Sequence, residues 1–432
     1  MRRIAVALLL AAVVGPAGQL FAQEATSVPA FPGKIAYIGS DFNVYTFDGG
    51  DQTRTPLTDD AGVTDNSFLA YQWPTWSTDG RLAYFGLTVE RQTRLPSTSI
   101  FVSDNGLSSG ELVYDSETQV YNYAYWSPQN CPADDNCRDL AVLLSDPAAD
   151  GLLVERVRVD GEASSETLGV GAPFYFSWSP DGTRMLWQRN NERLDVYDIG
   201  AGDVASTLDQ RPGFVAAPAW SPVDDRLLIG VLAESGERTD LTIIGNDAAV
   251  TETLAEDLEG PVAFAWSPDG NRIAYTADRG PLMVLDAVTG ETLARSPVGG
   301  VYAFFWAPDG QRLVYVTLAV QPGSFSASAD TGAHVAALAQ EDPSLVWSVL
   351  EVATAANWRL ASFFPTQDEL YLLSFFDQFA QSHRVWSPDS RHIIYGEMTS
   401  DRESVVTILN VESQDSVPLT IAEGQIGVWS FE

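Results

Sequence analysis

One short pattern recurs along almost the whole chain: a tryptophan, a small residue, a tight polar turn, then alternating apolar residues. From Trp76 it reads WSTDGRLAYF, from Trp178 WSPDGTRMLW, from Trp220 WSPVDDRLLIG and from Trp266 WSPDGNRIAYT. From Trp306 it reads WAPDGQRLVYV and from Trp386 WSPDSRHIIYG. At Trp126 the copy is WSPQ, then a cysteine loop, then RDLAVLL; at Trp429 the sequence WSFE opens an eighth copy without a continuation. Proline presets φ at the first turn position and glycine accepts positive φ at the last, so each copy reads as a hairpin between two strands. The run after the turn alternates at period two, as a half-buried strand does.

A second β-rich run follows most copies, such as NVYTF from Asn43, SIFVS from Ser99, LDVYD from Leu194 or LMVLD from Leu282, and then a weaker one. Each unit is therefore four short strands. The motif tryptophans are spaced by 50, 52, 42, 46, 40, 80 and 43 residues. Units of this size, each exposing apolar surface that only a neighbour covers, predict an all-β β-propeller of four-stranded blades. The count predicts eight blades, with seven as the alternative should one degenerate unit pack as an insertion. KIAYIG from Lys34 supplies the half missing after Trp429. The N- and C-terminal segments are thus expected to share one blade and close the ring, which removes exposed sheet edges.

The WSPDG-x-[RI]-[IL]-[AV]-Y pattern over residues 34–432 resembles the repeat of the TolB-like propellers, also found in the propeller domains of prolyl-oligopeptidase-like proteins. The resemblance implies a periplasmic or secreted binding scaffold. It is specific for fold and nearly silent on chemistry, because propellers host both binding modules and enzymes. No peptidase domain is expected after the last blade, and TolB's own partners are not carried over.

Other features bound the setting. Arg2 and Arg3 precede an apolar run from Ile4 to Val14, too short for a span of ~20 residues, and small residues follow. Residues 1–22 are expected to be a signal peptide and 23–33 a linker, with one propeller domain over 34–432. The formal net charge is −34. That excludes nucleic acid and anionic membrane surfaces as natural partners, since both require clustered cations. A monomer without an integral membrane segment is expected. Cys131 and Cys137, six positions apart, are expected to pair in an oxidising compartment. The adjoining Asp134 and Asp135 are too few for a calcium site by themselves.

Strand order assigns faces. With strands a to d running outwards from the axis, the WSPDG turns join a to b. The b–c loops and d–a crossovers lie on the opposite face. The unit between Trp306 and Trp386 carries two extra segments, 321–344 between b and c and 365–381 between d and a, both on that opposite face. The second, PTQDELYLLSFFDQFAQ, is expected to start a helix at Thr366. It either packs on its own propeller or forms a lid or partner-docking element through Tyr371, Phe375, Phe376 and Phe379. The starts of the inner strands place Tyr71, Gln72, Tyr121, Asn122, Tyr123, Tyr175, Tyr302, His383 and Arg384 at the channel entrance on the same face. Aromatics with a few polar groups suit a small-molecule or peptide site; alternatively they fill the blade interfaces.

Catalytic signatures are weak. Gly106-Leu-Ser-Ser-Gly110 has the spacing of an esterase elbow but lies in a turn between strands, without the strand–turn–helix setting Ser108 would need. The three histidines, His334, His383 and His392, make no metal pattern. No catalytic residue, cofactor or metal is assigned. The expected function is an exported, non-catalytic scaffold that binds a protein, peptide or envelope ligand through its b–c/d–a face. The alternative is a propeller hydrolase or lyase with its site in the central channel.

Overall fold

The computed structural model describes residues 30–131, 136–148, 151–160, 163–245, 250–319 and 344–432. The expected signal peptide, Asp134 and Asp135, His334, and the insert 321–344 apart from Ser344 lie outside them. Among the described residues no helix is long and apolar enough to cross a membrane.

The repeat folds as its chemistry dictates. In the Trp178 unit, strands Phe174–Trp178, Arg184–Arg189, Arg193–Asp198 and Asp203–Thr207 pair antiparallel in chain order. The turn between the first two is closed from within. The Ser179 hydroxyl donates to Asp181 Oδ1 (2.6 Å) and accepts from the Arg184 amide (2.9 Å). Gly182, at φ +70°, takes the left-handed position that a side chain would oppose. The turns at Ser267 and Ser387 repeat this serine–aspartate pairing.

The motif tryptophans are buried, except for the half-buried Trp306, and five of them also join blades. Each of these five indoles donates to the carbonyl of the residue just before the previous blade's tryptophan. The pairs are Trp126 to Thr75 (3.0 Å), Trp178 to Tyr125 (3.1 Å), Trp266 to Ala219 (3.2 Å), Trp306 to Ala265 (3.4 Å) and Trp386 to Phe305 (3.1 Å). A repeated residue thus supplies both core volume and a bond across every such interface.

The expected count of eight is corrected to seven. The structure has seven sheets, five of four strands, one of five and one of six, and none closes on itself. The units at Trp386 and Trp429 fuse because one long strand, Leu419–Trp429, serves both. Its first half pairs with Ser404–Asn410, and its second half with Lys34–Gly39, from Ile38↔Ile426 to Ile35↔Trp429. The inner strand expected before Trp386 does not form. Only isolated bridges, Trp386↔Ile393 and Arg384↔Trp429, mark its place. Two units that share a strand, one lacking its inner strand, make one blade.

Cys131 and Cys137 form a disulfide in an a–b turn, with Cα atoms 5.3 Å apart. The loop it closes is short, so its loss should cost about 2 kcal/mol, the low end of the usual range. Thiol titration of the unfolded, unreduced chain should find no free thiol; two thiols would show that the pair does not form in the protein as made.

Candidate ligand-binding site

The insert 365–381 carries helices α1 (Gln367–Ser374) and α2 (Phe376–Phe379). Thr366 caps α1 as the sequence predicts, its hydroxyl accepting from the Glu369 amide (3.1 Å). The insert packs on its own propeller, from the inside. It enters the channel where the missing inner strand would lie. The Tyr123 hydroxyl donates to the Gln378 carbonyl (3.0 Å). The Gln378 amide donates to the Phe176 carbonyl (2.9 Å), and its Oε1 accepts from the Phe176 amide (3.3 Å). Asp377 Oδ2 accepts from the Ala217 amide (3.1 Å), and Gln381 Nε2 donates to the Pro218 carbonyl (3.3 Å). Inner strands turn backbone groups towards the axis, and a plug of apolar residues is tolerable there only if its polar side chains satisfy them.

The plug divides the channel. On the a–b face, a cavity of about 300 Å³ lies among the motif prolines and tryptophans. On the b–c/d–a face, a cavity of about 1280 Å³ opens beneath the starts of the inner strands. Of the sequence-predicted residues, Gln72, Tyr121, Asn122, Tyr175, Tyr302, Tyr371, Phe375 and Phe376 line the larger cavity. The others do not. Tyr71 packs inside its own blade against Tyr84 and Phe101, with its hydroxyl on Asp60 (2.9 Å). Tyr123 lies under α2, and Phe379 is buried between Trp73 and His383. His383, with Arg384, borders the smaller cavity instead. Arg384 lies over the Phe431 ring, 4.4 Å from its centre, and donates to the Phe431 carbonyl (3.3 Å). Their different position follows from the lost inner strand, on whose register the expectation rested.

Trp73, Arg211, Phe214, Arg279 and Asp368 also line the larger cavity, and the sequence reading missed them. Trp73 has a legible signal. Pro74 breaks the ladder of strand Ser67–Trp76, which shifts register between Gln72 and Thr75. Trp73 sits at φ +53° in that bulge, and its ring turns towards Tyr371 (5.3 Å) and Phe379 (5.0 Å). Bulges re-aim side chains in this way, at a backbone cost of about 1–3 kcal/mol. Arg211 and Arg279 sit in ordinary connections, where nothing in the sequence distinguishes them from surface arginines.

Burial shifts the plug's titratable groups towards their neutral forms. Desolvation pushes Glu369 up to about 8 and Asp368 up to about 6, and it also raises Asp377. It pulls His383 down to about 3. Ser382 Oγ and His383 Nδ1 are 2.7 Å apart, but both residues are buried. Ser382 Oγ also lies 3.4 Å from the Phe379 carbonyl, a second acceptor within its reach. An imidazole held that acidic is a weak base, and a buried serine is out of a substrate's reach. The group Cys131, Cys137 and Asp139 has metal-like spacing. Its two sulfurs are bonded to each other, and Asp139 pairs with Arg158 at 3.1 Å.

No family model matches the chain, and no curated protein matches it. Solved structures do resemble it in fold. A crystal structure of the eukaryotic initiation factor aligns over 92% of this chain and 98% of that one, at 9% identity and a TM-score of 0.49. An oligogalacturonate lyase in complex with manganese aligns over 89% and 99%, at 13% identity and 0.49. A mitotic checkpoint complex chain aligns over 96% and 99%, at 15% identity and 0.48. No functional property is carried over from any of them.

Proposed function

We propose that this β-propeller is an exported, non-catalytic binding scaffold of TolB-like type. Its ligand, of short-peptide size, sits in the larger cavity on the b–c/d–a face. The observation that carries the reading is the cavity itself. It combines about 1280 Å³ of space with a wall of aromatic and aliphatic side chains interspersed with polar groups such as Asn122, Arg211 and Arg279, on the face the plug elaborates. Non-catalysis is supported by the burial of the Ser382–His383 pair and the low basicity of its imidazole. Export is supported by the Cys131–Cys137 disulfide and the amino-terminal apolar run.

The test is a thermal-shift screen of small molecules and short peptides, with Trp fluorescence as a second readout because Trp73 lies in the wall. Phe375, 38% exposed, and the half-buried Asn122 tolerate replacement. Phe375→Ala and Asn122→Ala should each weaken a true ligand by about tenfold, as losing a stacking or hydrogen-bonding contact does. Ligands indifferent to both changes, but sensitive to Arg384→Ala on the other face, would overturn the assignment.

A further inference from the structure

We infer that the larger cavity recognises a carboxylate carried beside an aromatic group, with Arg211 and Arg279 as the anion contacts. This rests on the binding reading above and adds the ligand's chemistry. The chain has 58 acidic against 24 basic residues. Most arginines with a defined role here sit within reach of a carboxylate, as Arg184, Arg189 and Arg238 do. Arg211 and Arg279 are exposed and line the cavity, and among the described residues neither forms an ion pair. Two guanidinium groups without an ion-pair partner at one cavity of a strongly acidic protein are available as direct contacts for an anion.

Both arginines are placed by structure. Arg279 lies 4.8 Å from the centre of the Tyr302 ring, whose hydroxyl bonds Ser374 of α1 (2.7 Å). Stacking holds the guanidinium plane while leaving its N–H edge free for a carboxylate. Arg211 begins the connection 211–216, which is tied to the next blade by the parallel bridge Val215↔Val262 and by the Val262 amide on the Phe214 carbonyl (2.8 Å). The turn carrying Arg279 belongs to that next blade, so the two cations flank one blade boundary. Two carboxyls also line the cavity. Asp377 accepts from the Ala217 and Gln378 amides with its two oxygens. Asp368 stands at the opposite end of α1 from Ser374, about 9 Å along the helix axis. Among the described residues neither forms an ion pair with Arg211 or Arg279. The aromatic requirement comes from Trp73, Tyr175, Tyr371 and Phe375 across the wall.

The experiment is calorimetric titration of the full chain at neutral pH and low salt with matched probes. These are N-acetylphenylalanine and its amide, and the tripeptide Ala-Ala-Phe and its amide. The acids should bind at least about tenfold more tightly than the amides. Arg211→Gln and Arg279→Gln should each lower acid affinity about tenfold, leave amide binding unchanged and preserve the melting temperature. Acid binding should weaken with added salt. Binding of both acids identifies a small aromatic acid as sufficient; binding of the tripeptide alone identifies a peptide C-terminus. Equal binding of acid and amide, silent arginine variants, or no binding by any probe would overturn the inference. In the first two cases, loss of binding in Phe375→Ala shows that the cavity reading survives.

Discussion

Truncation before Gln425 should leave a chain that is largely unfolded at room temperature. The removed segment holds Ile426, Val428 and Trp429, all fully buried, and the ladder from Ile38↔Ile426 to Ile35↔Trp429. Losing a fully buried tryptophan alone costs about 3–5 kcal/mol. The exposed edge of Lys34–Gly39 and the halved strand shared with Ser404–Asn410 add to that. A domain of this kind has only about 5–15 kcal/mol in total. Urea denaturation followed by circular dichroism checks this; a truncated chain that melts with the intact one would show that the shared strand does not hold the ring.

The second large effect is on pH dependence. Glu369 is buried, and one oxygen accepts from the Gly396 amide (3.1 Å). Its folded pKa of about 8 stands above the ordinary carboxyl value. The folded state therefore holds a proton that the unfolded chain has released, and stability falls as pH rises from about 4.5 to about 8. Asp368, raised to about 6, and Glu397, raised by burial, act in the same direction. His383 has the opposite sign. Its folded pKa of about 3 lies below the ordinary imidazole value, so stability falls as pH drops from about 6.5 towards 3. The protein should thus be most stable in mildly acidic solution. Glu369→Gln keeps the shape and removes the charge. Each tenfold difference in proton affinity between the folded and unfolded chain is worth roughly 1.4 kcal/mol. At about pH 8.5 the variant should therefore be more stable than the parent by about 3–5 kcal/mol, and near-equal at about pH 4. A variant with the parent's alkaline slope would assign that slope to Glu397, Asp368 or Asp377.

The fold was largely written in the repeat. Serine, proline, aspartate and glycine set each turn locally, and the alternation after it set each strand. The blade count was not, because it depends on whether one strand can serve two sheets. Leu419–Trp429 does so by length and continuity, a tertiary property that a motif census counts twice. The candidate face was legible from strand order and loop length. Which residues reach the cavity was legible where an inner strand forms at all, as at Tyr121, Tyr175 and Tyr302. It failed at His383 and Arg384, where helix replaces strand, and at Tyr71, which lies ahead of the bulge that swings Trp73 into the channel. The plug's polar residues, Asp377 and Gln378, carried no signal in the sequence, because their partners are backbone groups about 160 and 200 residues away.

A ring of blades around an empty bore transmits a push only along its rim. Here four residues of α2 and their flanks bond or pack directly with Tyr123, Phe176, Ala217, Pro218 and Phe304, which belong to four different blades. At its other end the insert is tied to the shared strand through the Thr366 hydroxyl and the Gln425 carbonyl. The molecule is therefore a wheel with a hub, and a shift at one blade reaches the far side by the diameter instead of the circumference. Close packing makes such a path stiff, so this propeller resists ovalisation in a way that an open-bored ring of the same blades does not.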